Sequence, residues 1–252
     1  MNKLILLVTF CGISLLCKSQ TVIYLDSLNK PVSSSVGARY YLTLAYDSTN
    51  HDKCTRKLYQ ITGRIMAEQN FSSFKENKYD GKFKKWFKNG LISYDADYKE
   101  GKLHGQLLTY WENGKLKRQD YYDNGQYVNG KCLDSLGNAI PHFDYIIMPQ
   151  FPGGNEAITS YLCHHIHYPQ RAKEEGVQGK VMIEFMVATN GSMEEFKVQQ
   201  GINPDLDNEA LRVVESLPLT WEPGFQDGEP IRVSYSLPVT FKIKPKSVAS
   251  RK

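Results

Sequence analysis

The sequence predicts an α+β protein, with an N-terminal all-β array of repeated hairpins followed by a small C-terminal domain that mixes strands with a helix. Three observations carry this prediction. Gly81-Lys-Phe-Lys-Lys-Trp-Phe-Lys-Asn-Gly90 lines up with Gly105-Gln-Leu-Leu-Thr-Tyr-Trp-Glu-Asn-Gly114 at an offset of 24 residues, and a fixed period of that size marks an array of small units. Leu206, Ala210, Val213, Val214 and Leu217 recur at helical spacing. From Ile231 to Ile243 apolar and polar residues alternate without exception, as in a strand with one buried face and one wet face.

At the N-terminus, Met1-Asn2-Lys3 precedes a largely apolar run from Leu4 to Leu16, then Cys17-Lys18-Ser19. About thirteen apolar residues suit the core of a signal peptide, whereas a spanning helix needs about twenty. Residues 1–19 are therefore read as a signal peptide cleaved after Ser19, and export to the periplasm or cell envelope is expected. An uncleaved membrane anchor and a lipidated Cys17 are the alternatives; bulky Leu16 disfavours the second. Removing nineteen of 252 residues leaves 233, room for two modest domains. The cut takes away Lys3 and Lys18 and no acid, so the formal charge falls from +4 to +2. That balance asks for no nucleic-acid partner. Cys54, Cys132 and Cys163 remain, an odd number in a compartment that permits disulfides. Cys54 with Cys132 is the pairing the order of the chain favours, and free buried cysteines are equally compatible.

Residues 20–140 form the repeat region. Asn89-Gly90, Glu100-Gly101, Asn113-Gly114, Asn124-Gly125 and Asn129-Gly130 mark its turns, and Gly101 aligns with Gly125 at the same offset. Each unit reads as an aromatic-rich strand, a turn and a second strand. The pattern resembles the variant MORN repeat, most clearly over residues 79–130, with Tyr59-Gln-Ile-Thr-Gly63 as a degenerate copy. Stacked hairpins of this kind contact only their neighbours. About ten strands at roughly 4.8 Å spacing would give a spacer or platform about 50 Å long. Lys82, Lys84 and Lys85, among the aromatics Tyr79, Phe83, Trp86 and Phe87, offer an anionic surface contact. The plainer reading, favoured because Glu76 and Asp80 dilute the charge, is that lysines solvate a strand whose aromatics pack inward. Pro141, Pro149 and Pro152 punctuate a linker at 141–152.

The C-terminal domain is placed at 153–244, with a tail at 245–252. Val181, Ile183, Phe185 and Val187 alternate with Lys180, Met182, Glu184 and Met186, and Asn190-Gly191 offers the two positive-φ residues of a tight hairpin. Phe196 and Val198 continue on the return strand. Asn203 suits a helix N-cap and Pro204 the first helical turn. Pro238 interrupts the last strand, 231–243. Proline donates nothing to a ladder, so this is expected to be an edge strand with that position facing outward. An open edge of thirteen residues is a template for another chain.

Tyr168-Pro169, Arg171-Ala172, Gly176, Gly179-Lys180-Val181, Asn190-Gly191, Leu206-Asp-Asn-Glu-Ala210, Trp221-Glu-Pro-Gly224 and Pro238 together resemble the C-terminal domain of the TonB family, over about residues 150–243. The resemblance implies an αββαβ domain, with a short helix leading into Tyr168. It also implies that the domain grips an outer-membrane receptor by pairing with an extended receptor segment. Arg232, Val233, Ser234, Tyr235 and Ser236 would capture that segment, and His167, Tyr168, Pro169 and Arg171 would flank it. A homodimer is a further candidate partner, through this edge or another surface. The plainer reading of Tyr168, Pro169, Gly176, Gly179, Trp221 and Pro223 is that they set turns and fill the core. An energy transducer of this family needs a membrane helix and carries a long proline-rich tether. No such run exists here, so an exported scaffold or adaptor without energy transduction is the alternative.

Cys163-His164-His165-Ile166-His167 puts Cys163 and His167 four apart, a zinc-ligand spacing if the segment is helical, but exposed histidines are the expectation. Asp205, Asp207 and Glu209 are what a helix dipole favours in a first turn. No Gly-x-Ser-x-Gly, phosphate loop, His-Glu-x-x-His or Cys-x-x-Cys occurs. A binding protein with no catalytic residue, metal or cofactor is expected.

Overall fold

The computed structural model describes residues 20–218 and 221–243, in two compact units, one ending at His142 and one beginning at Phe143. The expected signal peptide and the tail at 245–252 lie outside the described residues.

In the first unit one antiparallel sheet holds eleven strands. β1 (Gln20–Leu25) lies between β2 (Pro31–Val32) and β3 (Tyr40–Tyr46). From there each strand pairs with its neighbours in sequence: β4 (Cys54–Gln60), β5 (Ile65–Ser73), β6 (Lys78–Trp86), β7 (Ile92–Lys99) and β8 (Lys102–Tyr110). β9 (Leu116–Asp123), β10 (Gln126–Leu133) and β11 (Ala139–Ile140) complete it.

The sequence period is kept by two kinds of turn. Gln60–Arg64, Phe87–Leu91, Trp111–Lys115 and Asp134–Asn138 are each closed by the first N–H donating to the fifth carbonyl, at 2.8 to 2.9 Å, with a left-handed glycine in fourth place. Glu100-Gly101 and Asn124-Gly125 have positive φ at both residues, the tight hairpin their sequence predicts. Neighbouring turns are tied together, since Asn89 Nδ2 donates to the Glu112 carbonyl at 2.7 Å and Asn113 Nδ2 to that of Ser135 at 3.0 Å.

Asn129-Gly130 is not a turn. Gly130 lies within β10 beside a bulge, and a Cβ there would stand 2.1 Å from Asp120 Oδ1. The missing side chain lets the backbone approach a buried charge pair. Arg118 and Asp120, both fully buried, meet at 2.7 Å. His142 Nε2 lies 3.0 Å from Asp120 and 3.2 Å from Arg118, and its ring stacks on Tyr127.

The favoured Cys54–Cys132 disulfide does not form. Cys54 opens β4 and Cys132 lies in β10, six strands away, and the Cys54 thiol is free and buried. Strand spacings of about 4.8 Å carry the two well past the roughly 4.4–6.8 Å Cα separation of a disulfide. The three lysines do not share one face, because a strand turns alternate residues to opposite faces. Lys82 pairs with Asp97 at 2.9 Å and Asp95 at 3.4 Å, and Lys84 with Asp95 at 3.6 Å. Lys85 stands on the other face with Phe83.

In the second unit, β12 (Ile146–Ile147) precedes α1 (Gly154–His165), α2 (Gln170–Glu174), β13 (Gly179–Val187), β14 (Met193–Gln200) and α3 (Pro204–Glu215). β15 (Gly224–Gln226), β16 (Glu229–Ile231) and β17 (Val233–Phe241) follow. The strands make two sheets, ordered β12-β15-β16 and β14-β13-β17. Val181, Ile183, Phe185 and Val187 of β13 pack with Leu206, Ala210, Val213 and Val214 of α3, all at zero exposure. The alternating and helical patterns of the sequence thus meet face to face. Asn203 caps α3, its Oδ1 accepting the Leu206 N–H at 2.9 Å.

Two features depart from expectation. The proline-punctuated segment 141–152 is not a free linker beyond His142, because Tyr145 and Phe151 are buried, β12 pairs with β15, and Gln150 bridges to Glu222. Two aromatic anchors between the prolines dock the chain. The turn at Asn190-Gly191 has one left-handed residue rather than two: Gly191 has φ 81° and the Ala188 N–H reaches the Ser192 carbonyl at 2.8 Å, the five-residue turn of the first unit. α2 and the β12-β15-β16 sheet are additions to the simple αββαβ order.

Gly130→Ala is expected to cost about 2 kcal/mol or more, because its methyl group must displace Asp120 from the buried pair. A urea titration of the full chain checks this through the midpoint of the first unit's transition.

Candidate partner-docking edge

β17 pairs only with β13, over nine residues without a register shift, and its other edge pairs with no described strand. The thirteen-residue alternation predicts a longer edge. The chain instead breaks at Arg232, and residues 229–231 form β16 in the other sheet. Alternation runs through the break because Ile231 at the end of β16 and Val233 at the start of β17 are both partly covered, with exposed Arg232 between them.

Along β17, Leu237, Val239 and Phe241 are buried while Ser234, Ser236, Pro238 and Thr240 are exposed. Pro238 stands opposite Met182. Having no N–H, it fits a position where no bond to β13 is required. In an extended strand the N–H and C=O of one residue point the same way, and residues two apart share that direction. Ser234, Ser236 and Thr240 therefore turn their backbone donors and acceptors away from β13.

β14 is the opposite edge of the same sheet and is poorly suited to docking. Its pairing with β13 shifts register twice, Glu195 has φ 55°, and Glu194, Glu195 and Lys197 are exposed along it. Bulges and charges of this kind blunt an edge. β17 is the regular, weakly charged edge of the two.

The structure sorts the candidate residues into two groups. At the start of β17, Ser234 Oγ donates to Glu184 at 3.0 Å and Ser236 Oγ to Gln199 at 3.3 Å, both on the open sheet face. Tyr235 instead packs inward on Trp221 and Phe185, with ring centres 4.9 and 5.7 Å away, and Val233 packs against Gly224. Arg232 is held by Glu194 at 3.0 Å and Glu195 at 2.8 Å.

The second group sits at the other end of β17. The Tyr168 ring meets Phe241 edge-on at 5.7 Å, and its hydroxyl donates to the Val177 carbonyl. Pro169 caps α2, and Arg171 points to solvent in an ion pair with Glu175 at 3.0 Å. Phe241 and Ser236 are five residues apart, about 17 Å along a strand. His167, Tyr168, Pro169 and Arg171 thus do not converge with residues 232–236 on one spot. Trp221, 2% exposed among Phe151, Phe185 and Tyr235, fills the core.

A staple that the sequence reading missed holds the second group in place. Arg212 and Glu209 pair at 2.7 Å on α3. Glu209 Oε1 accepts the His167 N–H, while Arg212 Nη2 donates to the His165 carbonyl at 2.8 Å. A Glu and an Arg three apart on a helix was the visible signal. Burial alone would raise the Glu209 carboxyl pKa, yet the bonds from Arg212 and His167 hold it below its ordinary value. α1 stops at His165 and Ile166 is extended, so Cys163 and His167 share no helical face.

Because its folded pKa is depressed, the stabilisation from Glu209 is present above the ordinary value of 4.5 and is lost as the pH falls through the depressed value. Glu209→Gln should therefore lower stability at neutral pH and shrink the loss on acidification, as measured by unfolding midpoints across that range.

Residues 164–243 match the sequence profile of the family described as Gram-negative bacterial TonB protein C-terminal. Among solved structures, the NMR solution structure of the Helicobacter pylori TonB C-terminal domain (residues 179–285) is similar, at 23% identity and a TM-score of 0.29 over 34% of this chain and 78% of that one. No curated protein matches the chain. No helix among the described residues is long and apolar enough to cross a membrane. The second unit thus carries a TonB-like C-terminal domain, after a strand-rich first unit.

Proposed function

We propose that this chain is a cell-envelope binding protein of the TonB type, which docks an extended segment of an outer-membrane receptor on β17 by strand addition, in TonB-dependent transport. The observation that carries the reading is the open edge itself. It runs nine residues in regular register, and the phase that suits Pro238 turns the backbone of Ser234, Ser236 and Thr240 outward. A docked strand would form main-chain bonds there and draw its specificity from side-chain pockets. Pro238 withholds one donor, so the stretch before it is the better half of the ladder. A segment covering the whole edge would pass Arg232 at one end and the Tyr168–Arg171 turn at the other.

One observation favours a second reading, in which the protein is an exported adaptor without energy transduction. Between residue 20 and the TonB-like domain lies an eleven-stranded sheet where the family's tether would be proline-rich and extended. MORN-like repeats in that place make a platform for a second partner. Both readings use β17 and differ in the fate of residues 1–19.

Ser236→Pro removes one outward donor and leaves the β13 ladder in place. It is expected to weaken receptor capture about tenfold or more, with the unfolding midpoint close to that of the parent chain. Unchanged capture by a folded variant would exclude edge docking. The N-terminal sequence of the protein recovered from its native envelope separates the two readings: a start at Gln20 supports the adaptor, and an intact Met1 in the inner membrane supports the transducer.

A further inference from the structure

The first unit contains a groove of about 500 Å³ on one face of its sheet, spanning β1 to β6. Leu25, Leu42, Leu58 and Ala67 form apolar walls, and Arg56 and Lys85 both enter it. Strand register explains the grouping. Arg56 stands opposite Gln69 and Gln69 opposite Phe83, while Leu58 stands opposite Ala67 and Ala67 opposite Lys85, so all turn to the same side. Arg56 and Lys85 are two strands apart and offset by two residues along the strands, about 12 Å between their backbones at ordinary spacing.

The two cations have no acid to balance them. Arg56 Nε donates to Gln69 Oε1 at 2.7 Å, and its guanidinium lies 5.2 Å from the Phe71 ring centre. Its terminal nitrogens make no hydrogen bond among the described residues. Lys85 Nζ lies 5.2 and 5.6 Å from the ring centres of Phe83 and Tyr94, and no described carboxylate pairs with it. Lys82 and Lys84, on the opposite face, are both paired with aspartates. Lys85 keeps one side open to water at the groove mouth, but the surrounding protein pushes its ammonium pKa down.

A concavity within the roughly 300–1,000 Å³ range of small-molecule sites, with apolar walls and a few convergent polar groups, has the make-up of a ligand site. We infer that this groove binds a small amphipathic anion, one carboxylate or phosphate on an apolar body, with Arg56 and Lys85 closing on the charge and Leu25, Leu42 and Leu58 receiving the apolar part. The planar fork of Arg56 can meet two oxygens at once, and Lys85 adds a point charge. The site lies wholly within the first unit and does not depend on how β17 is used.

The test is calorimetric titration of the full chain with octanoate, octyl phosphate, octanol and acetate, each below its micelle concentration. Octanoate or octyl phosphate is expected to bind saturably at one per chain, the tighter of the two identifying the headgroup. Octanol and acetate, each lacking half of the recognition, are expected to bind at least about tenfold more weakly. Lys85→Gln should weaken the anion about tenfold, and Lys82→Gln, on the other face, should leave it unchanged. Arg56→Gln should act like Lys85→Gln, but it also breaks the bond to Gln69. Lys85→Gln, which breaks no hydrogen bond to a described residue, is therefore the deciding variant. The inference is overturned if neither anion binds, if octanol binds as tightly as octanoate, if a folded Lys85→Gln binds octanoate unchanged, or if only anionic vesicles are bound and neither monomeric anion is.

Discussion

Every β-strand carries backbone donors and acceptors along two edges, and each must meet another strand, a side chain or water. In a protein built mostly from one long meander and two three-stranded sheets, this requirement decides both what is stable and what is left available. The first unit satisfies it by adding hairpin to hairpin, so that nine of its eleven strands have neighbours on both sides. The second unit satisfies it for β15, between β12 and β16, and for β13, which lies between β14 and β17 and carries the four fully buried residues that meet α3. Stability is concentrated in the middle strand, and availability at the edges.

The two edges of the β14-β13-β17 sheet are treated differently. β14 is bulged and charged, and its Glu194 and Glu195 are tied to Arg232. β17 is regular and weakly charged. A row of unpaired amides that is straight and uncharged invites another strand, so the contrast gives a physical reason to look for a partner on one edge and not the other. Tyr235 and Trp221 hold β17 from beneath, which lets its backbone present a rigid ladder.

The same turn recurs in both units. A five-residue loop with its fourth residue left-handed closes Phe87–Leu91, Trp111–Lys115 and Ala188–Ser192 alike. In the first unit it repeats at the period of the sequence, and side-chain amides from Asn89 and Asn113 tie each turn to the next. Regular spacing of the turns keeps the strands in step, and strands in step place Arg56, Gln69 and Phe83 in one cross-strand row. The groove is a product of register, as is the separation of Lys85 from Lys82 and Lys84.

Local patterns alone determined the strand-rich first unit, the Asn203 cap, the buried stripe of α3, the alternation of β13 and the edge position marked by Pro238. Each is a matter of residues within one or two turns of chain, where sterics and periodicity act without help from distant parts. Only the tertiary structure decided that Cys54 and Cys132 lie apart, that Gly130 makes room for Asp120, that Tyr145 and Phe151 dock the segment after His142, and that Glu209 and Arg212 staple the chain before α2. These depend on residues brought together across many strands or between a helix and a distant loop. Alternation likewise cannot tell a continuous strand from two strands broken at Arg232, because Ile231 and Val233 are both partly covered on either side of the break. Which sheet each half joins is set by the available partners, and no periodicity in the chain encodes them.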